Sequence, residues 1–253
     1  MRNHYDYIYL SPHLDDVVFS CGAQIFEHTS QGKSVMIITL MAGDPDPNKL
    51  GSHAQILHKR WRLGSNAVAI RRREDFLACA YIGADTLHWP YLDCIYRRNP
   101  QTGEHVYQTD SSLFGPIDPS ESDLVSNLSA RMMDLPSHGE VLAPLGLGNH
   151  VDHKITRQAA TLTMDEAKLS FYEEFPYVIR GSEQLLIFES DVDWKSELIA
   201  VSPDALAARI QAMSIYQSQL STFFEGGQDL YIQVEDYVRN VGGERIWRQV
   251  RLE

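Results

Sequence analysis

Two short stretches of the chain concentrate residues that can do chemistry. The first is Ser11-Pro12-His13-Leu14-Asp15-Asp16, in which an imidazole and two carboxylates fall within one turn. His13 and Asp16 are three residues apart, so at a strand-to-helix turn their side chains can converge on one point with Asp15 beside them. The second is Gly148-Asn149-His150-Val151-Asp152-His153, with two histidines and an acid. A histidine from this stretch could add a third ligand to a His–Asp pair. Zinc accepts such a mixed nitrogen and oxygen set while keeping a position open for water. Each stretch alone has a simpler reading: Asp15 and Asp16 could cap a helix N-terminus, and an HxxH spacing often marks polar residues at a helix start. Together they are harder to explain that way, because so many polar groups at the ends of buried strands need partners.

The elements that would position these residues alternate between strand and helix. Tyr5 to Leu10 and Ser34 to Met41 are short apolar runs that read as buried parallel strands. Between them, Asp16 to Gln31 carries Val17, Val18, Cys21, Ile25 and Phe26 on one helical face, with Gly32 as the stop. The alternation continues with a helix at about Glu74 to Gly83, a strand at Thr86 to Tyr91, a helix at Glu121 to Asp134 and a strand at Val141 to Leu145. The second cluster then opens a helix running through Ile155 to Ala167. Strands at Leu169 to Tyr172 and Leu185 to Phe188, a long helix from Pro203 to Phe224 and an end piece from Arg245 to Leu252 complete the pattern. This order predicts an α/β fold with a mainly parallel sheet. Both clusters then lie at the carboxyl ends of strands, where such sheets collect ligands. The stretches Asp44 to Leu57 and Ile95 to Pro119, rich in Pro, Gly, Asp, Ser and Thr, are candidate rims of the site or mobile surface loops.

Composition narrows the function classes. The chain has 253 residues, with 22 basic and 34 acidic side chains and a net charge of −12. That balance argues against general binding to nucleic acid or anionic membranes, which needs an excess of Lys and Arg. No apolar run reaches membrane-spanning length, and the first ten residues lack the basic-then-apolar layout of a secretory leader, so no stable membrane insertion and a cytoplasmic location are expected. Cys21, Cys79 and Cys94 are too few and too scattered for a disulfide framework or a CxxC zinc site. No linker composition divides the chain, and residues 1–253 are read as one domain. Competing motifs are weak. No GxGxxG follows the first strand, Glu27 stands where a phosphate loop ending at Gly32-Lys33-Ser34 needs glycine, and no GxSxG elbow occurs.

At this point the sequence resembles the PIG-L/LmbE-like family of zinc-dependent N-acetylglucosaminyl deacetylases. Pro12-His13-Leu14-Asp15-Asp16 matches that family's PHxDD motif, and His150-Val151-Asp152-His153 matches its HxxH motif with an internal acid. Arg71-Arg72-Arg73-Glu74 and Asp93 after Trp89-Pro90-Tyr91-Leu92 are looser matches, as are Tyr172 to Tyr177 and Tyr216 to Gln219. The resemblance implies a Rossmann-like three-layer sandwich. It further implies zinc held by His13, Asp16 and His153, Asp15 as general base, a protonated His150 steadying the developing oxyanion, and Asp152 orienting a neighbouring imidazole. Arg71 and Asp93 become candidate contacts to substrate hydroxyls. The family's frequent glutamate after PHxDD is Val17 here, expected to pack into the core instead.

The implied activity is removal of the N-acetyl group from an N-acetylglucosamine-type sugar or glycoconjugate, releasing acetate. Three alternatives remain: an amidase cleaving a larger acyl group from a thiol–sugar conjugate, a catalytically silent metal-dependent carbohydrate-binding protein, and a metal-free nucleotide-binding domain. Another divalent ion in place of zinc and assembly into a homo-oligomer are both compatible with the sequence. Lys59, Arg60, Arg62, Arg71, Arg72 and Arg73 form a basic stretch that is either a solvated face or an anchor for a substrate phosphate.

Overall fold

The computed structural model describes residues 2–250 other than 181 and 192. In chain order the elements are β1 (His4–Ser11), α1 (Asp16–Ser30), β2 (Val35–Thr39), α2 (Ser52–Arg60), α3 (Ala67–Tyr81), β3 (Asp85–His88), α4 (Asp110–Leu113), α5 (Ser122–Met132), β4 (Ser137–Pro144) and α6 (Val151–Thr163). The remainder is β5 (Leu169–Tyr172), α7 (Tyr177–Arg180), α8 (Ser182–Ser190), β6 (Trp194–Ile199), α9 (Pro203–Met213), α10 (Gln217–Phe223), α11 (Gly227–Val241) and β7 (Glu244–Gln249).

Among the described residues, seven strands form one mostly parallel sheet in the order β3-β2-β1-β4-β5-β7-β6. The first five run parallel, and β7 runs antiparallel to both β5 and β6. Every residue of β2 and β5 is buried, so both faces of the sheet are covered. Ile8, Leu10, Ile37, Ile38, Val141 and Leu142 sit in this core, each contributing about 1.5–3 kcal/mol relative to an exposed side chain. Val17 joins the same core, as its position on the helix face predicts.

The parallel half matches the sequence pattern, with shifted boundaries: α3 starts seven residues before Glu74, and α6, opened by the second cluster as expected, ends at Thr163 rather than Ala167. The C-terminal third differs more. The apolar run Leu185 to Phe188 lies in helix α8, not in a strand. Its neighbour β6, WKSELI, is the strand, placed at the sheet edge with most side chains exposed, so it carries no apolar signature. The helix expected over Pro203 to Phe224 is broken at Ser214–Tyr216 into α9 and α10. The region Asp44 to Leu57 runs into α2, and Ile95 to Pro119 contains the single turn α4. Of the expected end piece Arg245 to Leu252, the part beyond residue 250 lies outside the described residues.

A buried ion pair ties the C-terminal strand to the first helix. Arg209 Nη1 lies 3.0 Å from Glu244 Oε1, and the Glu244 carboxylate accepts the N–H groups of Ala23 and Gln24 at 3.1 and 2.8 Å. Among the described residues, no helix is long and apolar enough to cross a membrane.

Candidate metal centre

Strands β1 and β4 are neighbours in the sheet, and the chain leaves them in opposite lateral directions, to β2 and to β5. A crevice opens beyond the carboxyl ends of two such strands. The turn Pro12–Asp15 rises from β1 and the turn Gly146–His150 from β4, so the two sequence clusters meet there.

Local hydrogen bonds shape each turn. Ser11 Oγ donates to the carbonyl of His13 at 2.6 Å and accepts the Val17 N–H at 3.3 Å. Asp15 occupies the N-cap position of α1 but its side chain makes no capping bond. Asp16 accepts the His13 N–H at 2.8 Å. The carboxylates are therefore not engaged as ordinary side-chain caps of α1. In the second turn Gly146 and Gly148 both have left-handed backbones, with φ of 92° and 78°. A Cβ on Gly148 would lie 2.5 Å from the Tyr177 ring, so glycine also makes room for that tyrosine.

His13, Asp16 and His153 come together. Asp16 Oδ2 is 3.2 Å from His13 Nδ1 and 3.3 Å from His153 Nε2. A carboxylate holds the other nitrogen of each ring: Asp152 Oδ2 lies 2.9 Å from His13 Nε2, and Glu174 Oε1 lies 3.2 Å from His153 Nδ1. Carboxylates in this role set the orientation of metal-ligating imidazoles and leave the opposite nitrogen open. His153 Nε2 is buried and has no hydrogen-bond partner among the described residues. A buried imidazole nitrogen left unpaired beside a carboxylate is what a divalent cation would complete, so the donor set fits zinc. His13, His150 and His153 also present nitrogens within 4.8 Å of one another. Within that second set, however, His150 Nδ1 accepts the Asp152 N–H at 3.3 Å. A neutral His150 ring then carries its proton on Nε2 and acts there as a donor.

The electrostatics divide the two neighbouring carboxyl groups. Burial and the charge of Asp16 push Asp15 up to about 7, against the pull of Arg71. Burial opposes ionisation of Asp16 as well, but the imidazoles of His153 and His13 hold it well below the usual range. For His153, burial is outweighed by Asp16 and Glu174, and its pKa rises to about 9. His13 is likewise pushed well up by Asp93, Asp152 and Asp16 in spite of burial. His150 goes the other way, because burial and the adjacent His13 and His153 all disfavour its charge. The buried surroundings thus favour a neutral His150 ring, whereas the family resemblance implies a protonated one.

A cavity of about 280 Å³ opens onto His13, Asp15, Asp16 and His150. Trp61, Phe114, Tyr177 and Phe223 give it an aromatic wall. Arg71 lies over the Trp61 ring at 4.7 Å, with its guanidinium 3.7 Å from both Asp15 and Asp93, too far to hydrogen-bond to either. Asp93 accepts the Ile95 N–H at 3.2 Å and lines the same cavity. All eight candidate residues are buried here: His13, Asp15, Asp16, Arg71, Asp93, His150, Asp152 and His153. The basic stretch does not stay together. Arg71 enters the site and Arg60 borders the cavity, whereas Arg72 pairs with Asp44 at 2.9 Å and donates to the Ala42 carbonyl. Sequence reasoning assigned no role to Glu174 or Arg97 and did not find Trp61, Phe114 or Phe223. Spacing gives no signal for these, since they lie far apart in sequence, on several connections and a helix.

The chain is similar to known deacetylases. The family model described as "PIG-L: GlcNAc-PI de-N-acetylase" matches residues 8–164, more than half of the chain. A 2'-N-acetylparomamine deacetylase from Niallia circulans is 28% identical over 195 residues, spanning 71% of this chain and 70% of its own. A teicoplanin deacetylase solved in a zinc-inhibited form superposes with a TM-score of 0.83 at 26% identity, covering 98% of both chains. The A40926 pseudoaglycone deacetylase superposes at 0.70 with 28% identity, over 98% of this chain and 99% of its own. The matched family model spans β1 to α6, the segment that carries both metal-region turns, and the chain belongs to the PIG-L family, whose homologues here are deacetylases acting on sugar-type substrates.

Proposed function

We propose that the chain is a zinc-dependent N-deacetylase that removes acetyl from an N-acetylglucosamine-type sugar or glycoconjugate and releases acetate. The observation that carries this reading is the unpaired Nε2 of His153 facing Asp16 and His13, with the Asp15 carboxylate next to them. His13, Asp16 and His153 would hold the ion. When bound, zinc supplies Lewis-acid chemistry, polarising the acyl oxygen and making water acidic enough to lose a proton near neutral pH. Asp15 takes that proton on its carboxylate, which is suited to the task because its affinity for a proton is matched to neutral pH. The attack gives a tetrahedral carbon whose oxygen carries negative charge, and His150 donates to that oxygen from Nε2. Asp15 then passes the proton to the departing amine. Arg71 and Asp93, facing the same cavity, bind sugar hydroxyls. The parallel β3-β2-β1-β4-β5 core is in this reading Rossmann-like, with its crevice given to a cation and an amide rather than to a dinucleotide.

The similarity over nearly the whole chain to the teicoplanin and A40926 pseudoaglycone deacetylases, together with the aromatic wall, favours a sugar carried on a bulky scaffold. The test is release of acid from free, phosphorylated, lipid-linked, nucleotide-linked and glycopeptide-linked N-acylhexosamines by metal-replete and chelated protein. Acetate that disappears on chelation supports the reading. Release of a larger acid only makes the protein an amidase, and binding without release makes it a silent carbohydrate-binding protein.

A further inference from the structure

A chain of buried charges runs from the metal centre into the connection between β3 and α5. Asp152 Oδ2 is 2.9 Å from His13 Nε2 and accepts the Cys94 N–H at 3.0 Å. Its other oxygen, Oδ1, is 2.6 Å from Arg97 Nη2, an ion pair whose N–H bonds point off the line between the atoms. Arg97 in turn grips Glu121 with two hydrogen bonds, Nε to Oε1 at 2.7 Å and Nη2 to Oε2 at 2.6 Å, and donates to the Leu92 carbonyl at 3.0 Å. Tyr107 donates to Glu121 Oε2 at 3.1 Å. Asp152 has no exposed surface, and Arg97 and Glu121 are also buried.

We propose that Arg97 and Glu121 are positioning residues for the metal centre, holding the Asp152 carboxylate so that it fixes His13 with Nδ1 turned toward the ion. The physical case rests on what each atom can do. A guanidinium is always charged and only donates, so the Asp152 oxygen facing it is an acceptor. Asp152 Oδ2 then accepts from His13 Nε2, which in the neutral ring leaves Nδ1 as the nitrogen with a free lone pair, on the side of Asp16. Without Arg97 the carboxylate keeps one backbone N–H besides the imidazole, and its Oδ1 loses the charge that faces it. Glu121 matters because it orients the guanidinium as a fork, a geometry a lone ammonium does not reproduce. The same connection contributes Asp93, Ile95 and Phe114 to the cavity wall, so one anchor serves both the wall and the ligand.

The inference rests on the metal-centre reading, and zinc affinity separates the two. Zinc dissociation constants are measured by chelator competition for the wild-type chain and for Arg97→Met, Arg97→Lys and Glu121→Gln, with the visible absorption of the Co²⁺-substituted proteins as a second readout. Outer partners of metal-ligating histidines typically change metal affinity about 10- to 100-fold. Arg97→Met is expected to weaken zinc by that factor and to alter the Co²⁺ bands, with Arg97→Lys and Glu121→Gln showing smaller losses in the same direction. Arg97→Met with wild-type affinity and an unchanged spectrum overturns the relay. Should Arg97→Met fail to fold, Arg97→Lys decides: weaker zinc binding supports the relay, and unchanged binding overturns it. A wild-type chain that binds no zinc overturns the metal-centre reading, and the relay with it.

Discussion

Nδ1 of His153 lies 3.2 Å from Oε1 of Glu174, and the same oxygen accepts the N–H of Gly146 at 2.7 Å. One buried carboxylate thus fixes both a proposed ligand and the turn that delivers it. Glu174→Ala is expected to weaken zinc binding about 10- to 100-fold. It should also destabilise the fold by about 1–3 kcal/mol, because a buried donor loses its acceptor. Glu174→Gln keeps an acceptor and should fall between. Zinc titration and thermal denaturation check this, and an alanine variant with wild-type zinc affinity would show that Glu174 serves the fold alone.

Asp15→Asn removes a proton acceptor while keeping the size of the side chain. Turnover should drop about 10²- to 10⁴-fold, the usual worth of a positioned acid–base group. Zinc content should stay at the wild-type level. Steady-state acetate release with metal analysis checks both, and undiminished turnover would remove Asp15 from the role of base.

Zinc uptake should release protons. In the metal-free chain His153 has a pKa of about 9 and His13 one well above its usual value, so both rings are charged at pH 7. A ligating imidazole must give up the proton on its ligating nitrogen. The metal-free form therefore holds more protons than the zinc-bound form, and lowering the pH favours the metal-free form. Affinity should rise with pH by about tenfold per unit for the His153 proton, up to about pH 9. Calorimetry in buffers of different ionisation enthalpy measures the released protons; binding without proton release would contradict the assigned ligands.

Gly148→Ala tests the packing behind the second turn. The new Cβ would stand 2.5 Å from the Tyr177 ring at a position whose φ is 78°. A non-glycine residue there costs about 1–3 kcal/mol in backbone strain, before any displacement of Tyr177. Both stability and kcat/KM should fall, because Tyr177 packs edge-on to His153 at 5.4 Å. A variant with wild-type melting and turnover would refute the tight fit.

What the sequence reveals follows from how each residue is constrained. Ile8, Ile37 and Val141 belong to strands buried on both faces, so their apolar runs identify them. His13, Asp16 and His153 fall in short turns directly after such strands, which is why two motifs some 140 residues apart could be expected to share one crevice. Trp194 to Ile199 pairs with β7 at the sheet edge and stays largely exposed, so polar residues hide the strand, while Leu186 and Ile187 project from α8 and mimic one. Arg97 and Glu121 show no pattern in sequence because their meaning lies in partners brought close only by the fold. The surroundings that disfavour charge on His150 are hidden for the same reason: they are burial and two neighbouring imidazoles.

The most direct test of the proposed centre is anomalous diffraction at the zinc edge from crystals grown with zinc. A single strong peak enclosed by His13, Asp16 and His153, lost in a His153→Ala variant, is the predicted result. A peak elsewhere in the chain, or none between these three side chains, would contradict it.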